Sequence, residues 1–256
     1  MQIFDTLSNQ KTELKFSDKV RIYLGGVTVY DDAHIGHART IIVFDVLRRF
    51  LESQKIPVEF VQNFTDVDDK ILERAKREGI TVEELTKKYT DNYYRDFDNL
   101  NVIRATEYPV ASEHIKEMQS LISNLVDKKF AYETKSGVYF SISKFSDYGK
   151  LSKKLSNEES RGEHRISVDK EKEDPADFAL WKFDNESKRH WPSPWGEGRP
   201  GWHIECSAMS LKCFGEETFE IHGGGEILFS HIMKTKLLNQ NLLRQNNLQK
   251  FGCMLV

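Results

Sequence analysis

The strongest constraint on the fold is the alternation of two apolar strands with one amphipathic helix in residues 21–64. Residues 21–30, R-I-Y-L-G-G-V-T-V-Y, have the β-branched and aromatic content of a buried strand, and Gly25-Gly26 indicates a close backbone approach. Apolar side chains recur at helical spacing over residues 36–53, and residues 57–64 predict a second strand. Such a strand–helix–strand unit forms a parallel pair with a right-handed crossover. We therefore expect an α/β fold that binds its ligand at the carboxyl ends of the strands.

The rest of the chain predicts further helices and an insertion. A helix is expected to begin at Thr65-Asp66, and another covers residues 83–99. The periodicity then breaks near Pro109, at the hairpin-like V-Y-F-S-I-S and in the charged stretch 156–174, which we interpret as an insertion with solvated loops. All four tryptophans lie between residues 181 and 202, and residues 218–222 predict a short strand that runs into three glycines.

Composition excludes several classes of protein. The formal net charge of −3 gives no global electrostatic sign of a nucleic-acid partner, although a local basic face is compatible with it. No apolar run is long enough to span a membrane, and the amino terminus lacks the features of a signal peptide, so a cytoplasmic location is expected. Three cysteines without a C-x-x-C pair are too few for a disulfide framework.

The first chemically suggestive motif is His34-Ile35-Gly36-His37, which follows a strand and opens a helix. Two imidazoles three residues apart lie on one side of a helix, and its N-terminus carries free N–H groups and a partial positive charge. This pattern predicts a phosphate site at His34, Gly36 and His37. A capped helix start with exposed rings explains the same four letters equally well.

Four blocks together resemble one family. They are T-V-Y-D-D-A-H-I-G-H-A-R from residue 28, N-F-T-D-V-D-D-K from residue 63, W-P-S-P-W-G-E-G-R-P-G-W-H-I-E-C-S-A-M from residue 191, and F-E-I-H-G-G-G from residue 219. In this order they strongly resemble cysteinyl-tRNA synthetase, a class I aminoacyl-tRNA synthetase. The resemblance covers residues 1–225 and implies an incomplete Rossmann-like parallel sheet with an α+β connective-peptide insertion.

The resemblance implies that ATP activates cysteine to an aminoacyl-adenylate, which is then transferred to tRNA, with Mg²⁺ accompanying ATP. His34 and His37 match the catalytic signature histidines of the family, and Gly36 matches the glycine that leaves room for adenine and ribose. The residues that match positions of the amino-acid pocket are Gly26, Thr65, Trp202 and His222.

The resemblance also implies a zinc ion, because a thiolate substrate binds zinc far better than serine does. Cys206 matches one zinc ligand of the family, and His231 falls where the family has its histidine ligand. The family's first ligand is a cysteine, but this chain has Gly25 there. We therefore expect the zinc site to be incomplete and zinc to bind poorly.

The likeness stops after Gly225, where the family's H-H-E-N-E block is missing. The codons ATC ATG AAA ACG AAA TTG CTC AAT CAG are one choice that encodes residues 232–240, I-M-K-T-K-L-L-N-Q, and in a frame shifted by one base they read H-H-E-N-E-I-A-Q. Part of this is forced: the single codon of Met233, followed by a lysine codon, must read GAA in that frame. We therefore expect a frameshift at or after Gly225 and an out-of-frame tail without selected structure over residues 226–256. The alternative is a natural divergent tail.

These observations predict four segments. Residues 1–100 form the first half of the nucleotide-binding catalytic domain, 101–190 the connective-peptide insertion, 191–225 the start of the second half, and 226–256 the tail. The remaining sheet, the pyrophosphate-binding lysine loop and the anticodon-binding region would lie outside this chain, so its cysteine–tRNA ligase activity is expected to be impaired. Two alternatives stay open: a non-catalytic nucleotide-binding module, and a ligase that joins cysteine to an acceptor other than tRNA.

Overall fold

The computed structural model describes residues 1–5, 8–144, 171–184, 189–215 and 219–224, together with the backbone of residues 252–255. The chain divides into two compact units. The first contains Met1–Glu113 and the described residues from Met209 onward, and the second lies within His114–Ala208. The segment boundaries expected from the sequence stay a prediction.

The first unit starts with an antiparallel hairpin and continues as alternating strands and helices. Its elements in chain order are β1 (Gln2–Asp5), β2 (Gln10–Glu13), β3 (Val20–Thr28), α1 (Ile35–Ser53), β4 (Val58–Thr65), α2 (Asp69–Glu78) and α3 (Val82–Asn99). The strand–helix–strand prediction for residues 21–64 is confirmed to within two residues at each boundary.

Two further strands belong to the sheet of this unit. They are β9 (Ile221–Gly224) and β10 (Gly252–Leu255), and the sheet order is β10-β9-β3-β4 with every pair parallel. Residues 106–110 extend the far edge through parallel bridges from Glu107 to Val61 and from Val110 to Phe64. With that segment counted as a strand, the order is that of a doubly wound Rossmann-like sheet, which changes winding direction between β3 and β9.

β10 lies within residues 226–256, and the expectation that this segment is an out-of-frame tail without selected structure stays a prediction. The backbone of Gly252–Leu255 pairs with β9 from Gly252 opposite Ile221 to Leu255 opposite Gly224. This pairing requires little of the sequence, because an edge strand presents unpaired N–H and C=O groups that an extended segment of almost any sequence can satisfy. The other residues of the expected tail lie outside the described residues.

The core of the first unit forms where α1 packs on the sheet. Ile41, Phe44, Leu47 and Leu51 recur at helical spacing and are buried, in the same apolar cluster as the buried strand residues Ile22 and Leu24. α2 begins three residues later than expected. Asp66 is held instead by the backbone N–H and the hydroxyl group of Ser112, so that Asp68 becomes the N-cap.

The second unit combines helices with an antiparallel sheet. Its elements are α4 (Ile115–Asp127), β5 (Ala131–Glu133), β6 (Gly137–Phe140), β7 (Phe178–Phe183) and β8 (Gly198–Pro200), and its sheet order is β5-β6-β7-β8. α5 (Trp202–Phe214) begins in the second unit and ends in the first. The hairpin-like segment V-Y-F-S-I-S forms β6 and a following 3₁₀ turn (Ile142–Lys144). No helix in the described ranges combines the length and apolarity that crossing a bilayer requires.

Candidate functional site

The two glycines of β3 form a β-bulge. Leu24 pairs with Gln62 and Val27 with Phe64, so Gly25 and Gly26 together face a single residue of β4, Asn63. The Gly26 N–H donates to Asn63 Oδ1 at 2.9 Å. A Cβ on Gly26 would lie 1.5 Å from the carbonyl oxygen of Asn63, so only glycine fits this close approach. The close backbone approach expected from the sequence is therefore confirmed, and Asn63 is a partner that sequence reasoning did not single out.

The histidine motif lies at the start of α1, six residues beyond the end of β3 at the carboxyl edge of the sheet. His34 is the N-cap, with an extended backbone. Its ring stacks on that of His37, with ring centroids 3.8 Å apart and an interplanar angle of 20°. His34 is exposed, and His37 is half-buried. The capped helix start is therefore present, and the phosphate site predicted at the same residues stays a prediction.

The backbone contacts of the two rings assign their proton positions. His34 Nδ1 accepts from the Gly36 N–H at 3.0 Å, and His37 Nδ1 accepts from the His34 N–H at 3.2 Å. An Nδ1 that accepts a hydrogen bond carries no proton, so each neutral ring carries its proton on Nε2. In its neutral form, each imidazole is therefore an Nε2–H donor.

Electrostatics favours the neutral form of His37. Partial burial lowers the pKa of His37 below its ordinary value, and the neighbouring His34 lowers it further. A ring that stays neutral near pH 7 stacks on its neighbour without charge repulsion. An anion near His37 would oppose this effect, because a nearby negative charge favours the protonated form.

Gly36 lies directly against the His34 ring. A Cβ at this position would be 2.9 Å from His34 Cε1 and 3.0 Å from its Nδ1. These are atoms of an exposed side chain, so an added methyl group would displace the ring and leave the backbone in place. Gly36 therefore fixes where the His34 imidazole sits.

Thr65 and His222 lie on strands adjacent to β3. Thr65 ends β4 opposite Thr28, is buried, and its carbonyl accepts from the Val29 N–H at 3.1 Å. His222 lies on β9 opposite Tyr23, 3 % exposed, and its ring centroid is 5.4 Å from that of Tyr23. The first unit therefore places both residues on strands that flank β3, and their roles in an amino-acid pocket stay predictions.

Trp202 and Cys206 lie in the second unit, on the first turns of α5. Trp202 is half-buried, with its ring centroid 5.4 Å from that of His203, whereas Cys206 is 3 % exposed. His231, the other expected zinc ligand, lies outside the described residues. Within the described part of the chain, no three His, Cys, Asp or Glu residues come together as a metal site.

Comparison with known proteins identifies the family. The sequence model described as tRNA synthetases class I (C) catalytic domain matches residues 11–245. The cysteine–tRNA ligase of Thermodesulfovibrio yellowstonii is 52% identical over 238 residues, which cover 90% of this chain and 48% of that protein. The cysteine–tRNA ligase of Caldicellulosiruptor saccharolyticus is 50% identical over 234 residues, which cover 90% of this chain and 50% of that protein. The chain thus spans about half the length of the curated relatives it matches.

Solved structures support the same fold. Methionyl-tRNA synthetase from Mycobacterium tuberculosis, in complex with methionyl-adenylate, has a TM-score of 0.64 and 15% sequence identity, covering 93% of this chain and 57% of that one. At this identity the likeness shows the fold alone. Since the family's sequence model covers most of the chain, the protein belongs to the family of tRNA synthetases class I (C) catalytic domain.

Proposed function

We propose that this chain carries the nucleotide-binding site of a cysteine–tRNA ligase, in which ATP activates cysteine before its transfer to tRNA. The observation that carries the proposal is the pair of stacked, Nε2–H-donating imidazoles at the N-terminus of α1, beside the winding change between β3 and β9. Membership of the class I synthetase family implies the use of ATP. The cytoplasmic location expected from the sequence belongs to this proposal too.

In the proposed reaction His34 and His37 bind the phosphate oxygens of ATP. Two Nε2–H donors and the positive end of the α1 dipole stabilise the negative charge that develops when the carboxylate of the amino acid attacks the α-phosphorus in line. The stacked geometry keeps both donors in position before ATP arrives, which reduces the reorganisation required in the transition state. Gly36 keeps the His34 ring in place and leaves room for the nucleoside.

The amino-acid side of the site rests on the family resemblance. Gly26, Thr65, Trp202 and His222 are proposed to contact cysteine. In support, the bulge at Gly26 directly follows Leu24, which pairs with both Gln62 and Gly223 at the winding change of the sheet. Transfer to tRNA is part of the same proposal.

The residues present differ in how well they fit the two metal ions implied by the family. Mg²⁺ requires few protein ligands, because it binds mainly to the phosphates of ATP and to water, and this chain is compatible with that arrangement. The described donor set does not fit zinc, since Gly25 offers no ligand where the family has a cysteine thiolate. No step of the proposed reaction is therefore assigned to zinc.

The direct test is ATP binding by the 256-residue chain, measured by titration calorimetry with Mg²⁺ present. His34→Ala and His37→Ala are expected to weaken ATP binding, because each removes one Nε2–H donor. His114→Ala is the matched control, since it removes an imidazole at the N-cap of a different helix, α4, where no side-chain hydrogen bond caps the helix. Equal ATP affinity in all three variants would contradict the assignment of the site.

A second measurement separates the ligase from the non-catalytic module that the sequence left open. ATP–pyrophosphate exchange that depends on cysteine, with serine as the matched control, supports the ligase. ATP binding without any exchange supports the non-catalytic module, which Gly25 favours by removing a thiolate. Charging of tRNA then distinguishes a tRNA ligase from one that uses another acceptor.

A further inference from the structure

The loop that presents the histidine pair carries two carboxylates at an unfavourable place for an anion site. Residues 29–34 connect β3 to α1, and Asp31 and Asp32 lie just before His34. Both aspartates are exposed. Unpaired carboxylates this close to the imidazoles would repel the phosphates of a nucleotide.

Arg74 of α2 pairs with the first of these carboxylates. Its Nη1 donates to Asp31 Oδ2 at 3.1 Å. The guanidinium is fixed from its other sides, because Nε donates to Glu78 and Nη2 donates to the Tyr89 hydroxyl at 2.8 Å. The group also lies over the Tyr89 ring, 5.7 Å from its centroid. Arg74 therefore meets Asp31 as a preorganised donor, not as a mobile side chain.

Asn92 of α3 binds the second carboxylate. Its Nδ2 donates to Asp32 Oδ1 at 2.6 Å. Arg95 Nη1 donates to Asn92 Oδ1 at 2.9 Å, and this contact orients the amide so that its NH₂ group faces Asp32. The two aspartates of the loop are thus held by two different helices.

We propose that Arg74 and Asn92 are positioning residues for the phosphate site: they anchor the aspartates of the loop and so set the place and electrostatic surroundings of His34 and His37. The inference rests on the proposed function, because it assigns the loop to nucleotide binding. A positioning role predicts that substitution changes the histidine pair and ATP binding, whereas a purely structural role predicts a change in global stability. The side chains of Arg74 and Asp31 are 21% and 49% exposed, and an ion pair as accessible as this contributes little to global stability.

The test uses Arg74→Ala in the 256-residue chain, with Arg77→Ala as the matched control. Arg77 lies on the same helix and is exposed, and its replacement by alanine removes the same charge. The first readout is the set of imidazole ¹H–¹⁵N signals of His34 and His37, recorded without ATP. The second is the dissociation constant for ATP with Mg²⁺ at fixed ionic strength.

Arg74→Ala is expected to shift the imidazole signals and to weaken ATP binding about fivefold, the scale of one exposed ion pair. Arg77→Ala is expected to leave both unchanged. Adding Asp31→Asn to Arg74→Ala is expected to recover part of the lost ATP affinity, because the uncompensated carboxylate is then absent. Asn92→Ala, which loses the contact to Asp32 and the contact from Arg95 but leaves Arg74 and Asp31 in place, is expected to shift the same imidazole signals.

The outcomes separate the two proposals. If Arg74→Ala and Asn92→Ala leave the imidazole signals where Arg77→Ala leaves them, the positioning role is wrong whatever ATP does. If the imidazole signals shift but the wild-type chain does not bind ATP, the anchoring of the loop stands and the proposed function fails. Circular dichroism of each variant checks that it is folded. If Arg74→Ala does not fold, the imidazole signals of Asn92→Ala decide the test.

Discussion

Replacing Gly26 with alanine tests how the bulge of β3 supports the site. The added methyl group would lie 1.5 Å from the carbonyl oxygen and 2.6 Å from the carbonyl carbon of Asn63. These are backbone atoms of a buried strand, so β3 and β4 must separate locally. The separation also weakens the 2.9 Å hydrogen bond from the Gly26 N–H to Asn63 Oδ1.

The expected loss combines two effects. Overpacking in a dense core costs typically about 1–3 kcal/mol, and a weakened internal hydrogen bond adds about 1 kcal/mol. A total of about 3 kcal/mol in the free energy of unfolding corresponds to a fall of roughly 6–12 °C in the thermal midpoint for a chain of this size. Circular dichroism with urea and thermal denaturation measures both quantities.

Gly36→Ala is the matched comparison, because its methyl group meets only the exposed ring of His34. It is expected to change the unfolding free energy by less than about 1 kcal/mol, since alanine is the better helix former, while it displaces the imidazole and weakens ATP binding. If Gly26→Ala proved as stable as Gly36→Ala, the account of the bulge would be refuted.

Three further predictions concern pH, a buried hydrogen bond and zinc. Because the pKa of His37 is lowered in the folded chain, its stabilising contribution is present above the ordinary histidine pKa of 6.5 and is lost as the pH falls below it. In urea denaturation between pH 8 and pH 5, the free energy of unfolding is therefore expected to fall less in His37→Gln than in the wild type. Tyr93→Phe removes the 2.9 Å hydrogen bond that the Tyr93 hydroxyl donates to buried Gln62, and it is expected to lower the free energy of unfolding by about 1–3 kcal/mol. Tyr94→Phe, for which no hydroxyl hydrogen bond is described, is expected to lower it less in the same denaturation assay. Because Gly25 lacks a thiolate, the chain purified from zinc-supplemented medium is expected to hold clearly less than one zinc per chain by elemental analysis, with a higher content in Gly25→Cys; stoichiometric zinc in the wild type would contradict this.

The elements predicted best from the sequence are those whose signal is local. β3, α1 and β4 follow from residue type and periodicity alone, and the structure places their ends within two residues of the prediction. The start of α2 was misplaced because Asp66 is held by Ser112, a partner distant in sequence that no local pattern shows. The edge segment at residues 106–110 was missed for a related reason, since it joins the sheet through two bridges and a few backbone hydrogen bonds without a periodic apolar pattern.

The candidate site divides in the same way. The four letters of the histidine motif predicted a phosphate site, which stays a prediction, whereas the proton positions on the rings required the contacts of each Nδ1. The pairing of Asp31 with Arg74 joins residues from different elements, and one sequence contains no measure of that distance. The signal that the sequence does contain is the pair of acidic residues just before a predicted phosphate site, because their charge requires compensation from elsewhere in the fold.

The fold explains why the histidine helix lies at the winding change of the sheet, and the explanation again involves a glycine. β9 carries Gly223 opposite Leu24 of β3, and a Cβ on Gly223 would lie 2.2 Å from the buried ring of Phe44 in α1. The absence of a side chain at this point lets α1 pack closely on β3 and β9, so the helix that begins with His34 is fixed to the strands whose carboxyl ends form the crevice. Many unrelated functions share such a fold, and the likeness to methionyl-tRNA synthetase at 15% identity therefore shows the fold alone. What distinguishes this chain is the set of residues at the carboxyl ends of these strands, and measurements on those residues test the assignment of function.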